Sequence, residues 1–236
     1  MDANPLLETV EHETGPSPQW TVLWLHGLGA DGHDFAPIVP ELLLRNGSRR
    51  DWPALRFVFP HAPMRAVTIN NGMRMRAWYD IRNFSADELA GGERADSDGV
   101  FESISQVEAL VAREGERGVP PRRVILVGFS QGGAIALAAG LRRATPLAGL
   151  AGLSTYLPML PRARDDLGPR AIEQPVFMAH GSQDPVVPVV AGERSGEVLR
   201  GLGFNVQWHA YPMGHAVCAD EIRDLGDWLE QRFNNA

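Results

Sequence analysis

The sequence predicts an α/β protein with a mostly parallel central sheet and helices on both faces. Short apolar runs alternate with segments of helical periodicity along the chain. Most of these runs are continuously hydrophobic, as is typical of strands that are covered on both faces of a parallel sheet. No linker, internal repeat or shift in composition divides the series, so residues 1–236 are expected to form one domain.

The predicted strands are runs of six to eight residues that end at turn-forming residues. LETVEHE (7–13) is followed by Gly-Pro-Ser-Pro and is expected to be a short edge strand. The remaining runs are more apolar and are expected inside the sheet: TVLWLHG (21–27), LRFVFP (55–60), RVILVGFS (123–130), LAGLAGLS (147–154), QPVFMAHG (174–181) and NVQWHAYP (205–212).

Five segments between and after these strands have helical character. In the segment 96–118, valines and an isoleucine recur at helical spacing and form one apolar stripe. The other predicted helices are DFAPIVPELLLR (34–45, despite its two prolines), QGGAIALAAGLRR (131–143), AGERSGEVLRGLG (191–203) and AVCADEIRDLGDWLEQRF (216–233). Residues 61–96 are expected to be irregular.

Composition excludes several classes of function. The net charge of −7 argues against nucleic acid as a partner, because phosphate binding needs a basic face. All 22 basic residues are arginines, which rules out a catalytic lysine. A single cysteine, the absence of a signal-peptide pattern and the lack of an apolar run of ~20 residues predict a cytoplasmic protein that is not integral to a membrane.

The segment VILVGFSQGGAIAL carries the strongest functional signal. Gly128, Ser130 and Gly132 form G-x-S-x-G between a predicted strand and a predicted helix. Such a sharp strand-to-helix turn exposes the serine hydroxyl above the edge of the sheet. The alternative is a tight turn with a capping serine. We expect Ser130 to be a nucleophile.

A serine nucleophile needs a base and an acidic residue that orients the base. Asp184 follows a strand and a turn 54 residues after Ser130, and His215 follows another strand 31 residues later. The carboxyl ends of parallel strands meet at one edge of the sheet, so these three side chains are expected to converge. We therefore predict a Ser130–Asp184–His215 triad.

Other polar residues are weaker candidates for these roles. His180 and His26 also lie at strand ends. His180 precedes Asp184 and so does not fit the order Ser, Asp, His. Both histidines are expected to form hydrogen bonds with loop backbone. The remaining candidates are expected to have structural or surface roles: His209, Asp165, Asp166 and Cys218.

The stretch VLWLHGLGADGHD allows two interpretations. Gly27, Gly29 and Gly32 form G-x-G-x-x-G, a pattern of dinucleotide-binding turns. However, Asp51 stands before the next strand and not at its end, where a ribose would need it. The loop is therefore expected to hold an oxyanion.

Two backbone amides are expected to bind this oxyanion, the N–H of Leu28 and that of Gln131, since each borders a strand end beside the nucleophile. Three polar residues of the first loop, Asp31, His33 and Asp34, lack a fixed spacing of metal ligands. We expect them to be surface groups, and we predict neither a metal nor an organic cofactor.

The motifs LHGLGADG, PHAP, AWYDI, GFSQGG, LSTYLP, HGSQDPVVP and YPMGHAV follow one another along nearly the whole chain. In this order they resemble the small α/β-hydrolases that include bacterial carboxylesterases and acyl-protein thioesterases. The resemblance implies an α/β-hydrolase fold, the triad and oxyanion donors named above, and a homodimer. It is weakest in RNFSADELAGGERADSDG (82–99), so substrate choice is least predictable there.

Apolar residues in two loops at the predicted catalytic edge are candidates for an acyl pocket. Packing of the loops is the alternative explanation for each of them. They are Met73, Met75, Trp78, Tyr156, Leu157 and Val187.

Three hypotheses of function remain at this point. The favoured one is a serine hydrolase of small-molecule, lipid or acylated substrates, most simply a broad carboxylesterase and alternatively an acyl-protein thioesterase or lysophospholipase. The others are a catalytically silent binding module and a nicotinamide-dependent oxidoreductase. Esters and thioesters are not separated by the sequence, because both need the same oxyanion chemistry.

Overall fold

The computed structural model describes residues 6–82 and 96–234. Seven strands form one sheet, and they are β1 (Thr9–Glu13), β2 (Trp20–Leu25), β5 (Leu55–Pro60), β8 (Val124–Phe129), β9 (Gly149–Leu153), β10 (Val176–Gly181) and β11 (Val206–Tyr211). Their order across the sheet is β1-β5-β2-β8-β9-β10-β11. Only β1 is antiparallel to its neighbour, β5, and every other neighbouring pair is parallel.

Helices cover both faces of this sheet, as predicted. One hydrophobic core lies between the sheet and the helices α2 (Ser97–Glu116), α3 (Gln131–Leu141) and α4 (Val189–Leu202). A second core lies on the opposite face, under α1 (Val39–Leu42) and α5 (Ala219–Asn234). The strands β2 and β5 are buried along their whole length, which explains their continuous apolar sequences.

Helix α3 has no exposed residue. Its glycines and alanines let it lie close to the sheet, and a Cβ at Gly140 would overlap the side chain of Leu150 in β9. This close packing fixes the amino end of α3 directly beside the end of β8.

Two segments differ from the sequence-based expectation. In 34–45 only α1 is α-helical, and it follows a 3₁₀ turn at Ala36–Ile38. Pro37 and Pro40 provide no backbone N–H, so a longer helix lacks hydrogen bonds there. A short hairpin then follows, with β3 (Leu44–Arg45) and β4 (Ser48–Arg49).

The interval 61–96 contains a second hairpin, β6 (Met64–Val67) and β7 (Met73–Arg76), which the sequence reading missed. Its turn uses Asn71 and Gly72, both with positive φ. Half of the strand residues are exposed, and β7 alternates methionine and arginine, so the hairpin lacks the apolar signal of a core strand. Much of the variable segment 82–99 lies outside the described residues.

Because β2, β8, β10 and β11 are parallel, their carboxyl ends lie at one edge of the sheet. The loops that follow them carry the residues expected to form the site. None of the described helices combines the length and hydrophobicity that a membrane-spanning segment requires.

Candidate active site

Ser130 stands on the sharp turn between β8 and α3, with φ 53° and ψ −121°. A positive φ is costly for a residue with a side chain, so the surrounding structure must hold it. A Cβ at Gly128 would overlap the backbone of Gly132, and one at Gly132 would overlap the carbonyl oxygens of Leu25 and His26. Gly128 is therefore required for the turn to close on itself, and Gly132 for the turn to pack against the end of β2.

Three side chains from three strand ends form one hydrogen-bonded chain. His215 Nε2 lies 2.9 Å from Ser130 Oγ, and His215 Nδ1 lies 2.7 Å from Asp184 Oδ2. The carboxylate beside Nδ1 favours the tautomer with the proton on Nδ1, which leaves Nε2 as the acceptor for the serine hydroxyl. This arrangement can take the proton of Ser130 and stabilise the resulting imidazolium.

The Asp184 carboxylate is fully buried, so its orientation is set by the protein alone. Its Oδ1 accepts hydrogen bonds from the backbone N–H groups of Val186, at 2.8 Å, and Val187, at 2.9 Å. These two bonds turn the other oxygen, Oδ2, toward His215. Asp184 thus lies in a loop that its own side chain closes.

His180 is buried beneath this loop. Its Nε2 donates to the carbonyl oxygen of Val187 at 2.9 Å, and it also lies 3.4 Å from Asp184 Oδ2. Burial lowers the pKa of His180, which keeps the ring neutral. The contacts of His180 are those of a histidine that supports a loop.

The loop after β2 runs beside Ser130. A Cβ built on Gly27 would lie 3.5 Å from the Cβ of Ser130. Within the described ranges, the N–H of Leu28 has no backbone acceptor. Gln131 begins α3, so its N–H has no acceptor inside the helix. Two amides without internal partners therefore border the serine, as stabilisation of an oxyanion requires.

His26 holds this loop in place. Its Nδ1 donates to the Gly27 carbonyl at 2.7 Å, and its Nε2 accepts the Ala62 N–H at 3.0 Å. Burial lowers the pKa of His26 to about 4, so the ring stays neutral and can donate at one nitrogen while accepting at the other. The indole N–H of Trp78 donates to the His26 carbonyl at 2.9 Å.

The side chain of Gln131 has a role that the sequence reading missed. Its Oε1 accepts the Trp78 N–H at 2.9 Å, and its Nε2 donates to the Tyr79 carbonyl at 2.7 Å. These bonds tie the turn at Ser130 to the segment after β7. A polar side chain at the start of an otherwise apolar helix was the available signal, since a buried amide needs hydrogen-bond partners.

A cavity of about 370 Å³ opens beside Ser130, and we name it the acyl cavity. Its wall is largely apolar. Besides Ser130, Gln131 and His215, it is lined by Gly27, Leu28, Ala30, Asp34, Ile81, Phe129, Tyr156, Val186 and Val187.

Of the six residues expected to line an acyl pocket, Tyr156 and Val187 lie in this wall. Trp78 and Leu157 are fully buried in the core, where Trp78 supports the loop after β2. The other two, Met73 and Met75, lie on β7 and are absent from the wall, and Met73 is 65% exposed.

Asp31, His33 and His61 bring possible ligand atoms within 4.8 Å of one another. These groups already bond to the protein, because Asp31 Oδ1 accepts the His33 N–H at 2.8 Å and His61 Nδ1 accepts the Gly32 N–H at 3.0 Å. A Cβ at Gly32 would overlap the Phe59 carbonyl oxygen, so this glycine allows the loop to pack against the end of β5.

Comparisons with known proteins identify the family of this chain. The sequence profile of the phospholipase/carboxylesterase family matches residues 7–232. Acyl-protein thioesterase 1 of Gibberella zeae is 37% identical over 217 residues, which cover 90% of each chain. Carboxylesterase SOBER1 of Arabidopsis thaliana is 32% identical over 216 residues, which cover 91% of each chain.

Solved structures of similar proteins match the fold of the chain. The crystal structure of Arabidopsis thaliana SOBER1 matches with a TM-score of 0.79 and 31% identity, over 90% of this chain and 98% of that chain. The structure of Zea mays acyl-protein thioesterase 2 matches with a TM-score of 0.77 and 26% identity, over 95% and 99% of the two chains. The α/β-hydrolase fold and the resemblance stated from the motifs are both confirmed, and the chain belongs to the phospholipase/carboxylesterase family.

Proposed function

We propose that this protein is a serine hydrolase that cleaves carboxylic esters or acyl thioesters through an acyl-enzyme intermediate. The observation that carries the proposal is the hydrogen-bonded chain from Ser130 Oγ through His215 to the buried Asp184 carboxylate. Relatives named as acyl-protein thioesterases and carboxylesterases support it. A broad carboxylesterase is the simplest form of this activity, and acyl-protein thioesterase or lysophospholipase activity is the alternative.

In the proposed mechanism Ser130 attacks the acyl carbonyl while His215 Nε2 takes its proton. Asp184 holds the proton on Nδ1 and stabilises the imidazolium. The amides of Leu28 and Gln131 bind the tetrahedral oxyanion, and each contributes about 3 kcal/mol to lowering the barrier. His215 then protonates the leaving alcohol or thiol. In the second half of the reaction His215 takes a proton from a water molecule, which attacks the acyl-enzyme, and returns this proton to Ser130 Oγ as its bond to the acyl carbon breaks and the carboxylic acid leaves.

The acyl part of the substrate is assigned to the acyl cavity. Leu28, Ser130 and Gln131 lie in its wall, so a carbonyl bound there meets the nucleophile and both amides. Tyr156, Val187 and Ile81 supply apolar surface for a hydrocarbon chain. Substrates of this description are small esters, lipids or acylated thiols.

The proposal also includes a single domain and a cytoplasmic location. One cysteine, Cys218, is present in the chain, and this suits a reducing compartment. A homodimer is proposed on the family resemblance alone, and measurement of the molar mass in solution tests it.

A kinetic panel tests the activity. The substrates are p-nitrophenyl esters and acyl thioesters of increasing chain length, and the enzyme variants are Ser130→Ala and Ser105→Ala. Ser105 is an exposed serine of α2 that bonds only its own helix, so its variant is a matched control. We expect hydrolysis by the wild type and by Ser105→Ala, and its loss in Ser130→Ala by a factor of about 10³ or more.

Undiminished hydrolysis in Ser130→Ala would refute the mechanism. A complete lack of hydrolysis in the wild type across the panel would instead favour a catalytically silent binding module.

A further inference from the structure

The position of His215 constrains where the leaving group lies. After Ser130 has attacked, the imidazolium at Nε2 must give its proton to the departing oxygen or sulfur atom. That atom therefore lies within hydrogen-bond distance of Nε2, and the rest of the leaving group extends past His215. This reasoning rests on the proposed function.

His215 also lines a second cavity, of about 470 Å³. We name it the leaving-group cleft. The segment around α1 forms one wall and the residues between His215 and α5 form the other. It is lined by Asp34, Phe35, Pro37, Ile38, Glu41, Phe129, His215, Ala216, Val217, Cys218, Ala219 and Ile222.

The two cavities share Asp34, Phe129 and His215 and therefore adjoin each other at these residues. Only the acyl cavity includes Ser130 and Gln131 in its wall. The acyl carbonyl must contact these residues, so the acyl chain belongs in the first cavity. The second is left for the alcohol or thiol part of the substrate.

The charged residues of the leaving-group cleft are both acidic. Asp34 and Glu41 are exposed, and neither forms an ion pair within the described ranges. Burial, together with the neighbouring carboxylate of Asp31, raises the pKa of Asp34. No arginine of the described part of the chain lines this cleft. The negative charge is therefore uncompensated next to an apolar floor that includes Phe35, and this environment favours a cation.

We infer that the leaving-group cleft binds the alcohol or thiol part of the substrate and selects one that carries a positive charge. The favoured substrates are esters or thioesters whose leaving group bears an ammonium or guanidinium a few bonds from the reacting oxygen or sulfur. Anionic leaving groups are disfavoured by the same two carboxylates.

An isosteric pair of thioesters tests this inference. Both have the same butanoyl group. One releases thiocholine, which is cationic, and the other releases 3,3-dimethylbutane-1-thiol, in which a carbon atom replaces the nitrogen. The released thiol is measured with a colorimetric thiol reagent. The readout is the ratio of kcat/KM for the two substrates within one enzyme preparation, so the amount of folded protein cancels.

The test variant is Asp34→Asn/Glu41→Gln. Its matched control is Asp51→Asn/Glu116→Gln, which removes two exposed carboxylates outside both cavities. We expect the wild type and the control to prefer the cationic substrate by about 3- to 10-fold, as two solvent-exposed charge pairs would produce. The preference should shrink at high salt and approach unity in the test variant.

Equal kcat/KM values for the two thioesters in the wild type would overturn the inference and leave the proposed function intact. A preference that persists in Asp34→Asn/Glu41→Gln would also overturn it. Failure to hydrolyse both of these thioesters and every substrate of the kinetic panel would refute the proposed function itself.

Discussion

Glu221 gives a prediction whose size follows from the structure. This residue lies in the first turn of α5 with an exposed fraction of 0%, and no side chain of the described residues donates a hydrogen bond to its carboxylate. Burial raises the pKa of Glu221 to about 8, and the nearby backbone N–H of Cys218 offsets this only in part. The carboxyl group is therefore neutral in the folded protein at pH 7.

The effect on stability follows from the two pKa values. The folded-state pKa is above the unfolded value of 4.5, so the folded state holds the extra proton between these values. The contribution of protonated Glu221 to the free energy of unfolding is complete below pH 4.5 and is lost as the pH rises to about 8. Over this whole range the titration of Glu221 lowers the free energy of unfolding by roughly 5 kcal/mol, and between about pH 6 and pH 8.5 by about 2 to 3 kcal/mol.

Glu221→Gln removes this titration while keeping the shape of the neutral side chain. We expect the free energy of unfolding of Glu221→Gln, relative to wild type, to rise by about 2 to 3 kcal/mol from pH 6 to pH 8.5. Urea unfolding at several pH values measures it. The exposed neighbour Asp220 provides the control variant, Asp220→Asn. A difference between Glu221→Gln and wild type that does not change with pH would refute the reasoning.

Three further predictions concern the site and its support. Asp184→Asn should keep the fold but lower kcat by about 10³- to 10⁴-fold, because an amide favours the wrong tautomer of His215. Steady-state kinetics on p-nitrophenyl acetate measure kcat, and a value within about tenfold of wild type would contradict the role of Asp184. Gly132→Ala should lower the free energy of unfolding by about 2 kcal/mol or more and should also lower kcat, since its Cβ would overlap carbonyl oxygens at the end of β2. Denaturant unfolding and steady-state kinetics measure the two quantities, and wild-type values of both would show that the turn can relax. Glu114→Ala should destabilise the fold by about 2 to 4 kcal/mol, because the buried Glu114 carboxylate bonds the largely buried Arg56 and the buried Thr21 hydroxyl, each at 2.8 Å, and its removal leaves Arg56 with the exposed Glu13, at 2.9 Å; a thermal midpoint equal to that of wild type would exclude this.

The part of the fold that rests on burial was predictable. Strands such as β5 and β10 are buried on both faces, so their apolar runs marked them within a residue or two. The hairpin β6–β7 was not predictable in this way, because its partly exposed strands need few apolar residues. The short α1 was over-extended because the apolar pattern of 34–45 outweighed the effect of its two prolines.

In the candidate site, the residues at strand ends could be predicted from the sequence, and the residues that line the cavity could be predicted only in part. The positions of Ser130, Asp184 and His215 followed from strand ends, since topology brings those ends together whatever the loops do. The acyl cavity depended instead on which way loop side chains turn. Trp78 turns into the core and hydrogen-bonds with His26, whereas Ile81, three residues later, lines the cavity. Spacing along the sequence carries no information about such choices in irregular backbone.

The exposed hairpin β6–β7 is coupled to the reaction centre through the main chain. Gly29 N–H donates to the carbonyl oxygen of Arg76 at the end of β7, at 2.9 Å, and Gly29 directly follows Leu28, one of the two proposed oxyanion donors. A displacement of β7 therefore moves the residue next to Leu28, whose N–H is proposed to bind the oxyanion. Random mutagenesis scored by turnover number should therefore find substitutions in the hairpin β6–β7 that alter turnover, although these positions lie outside the wall of the acyl cavity.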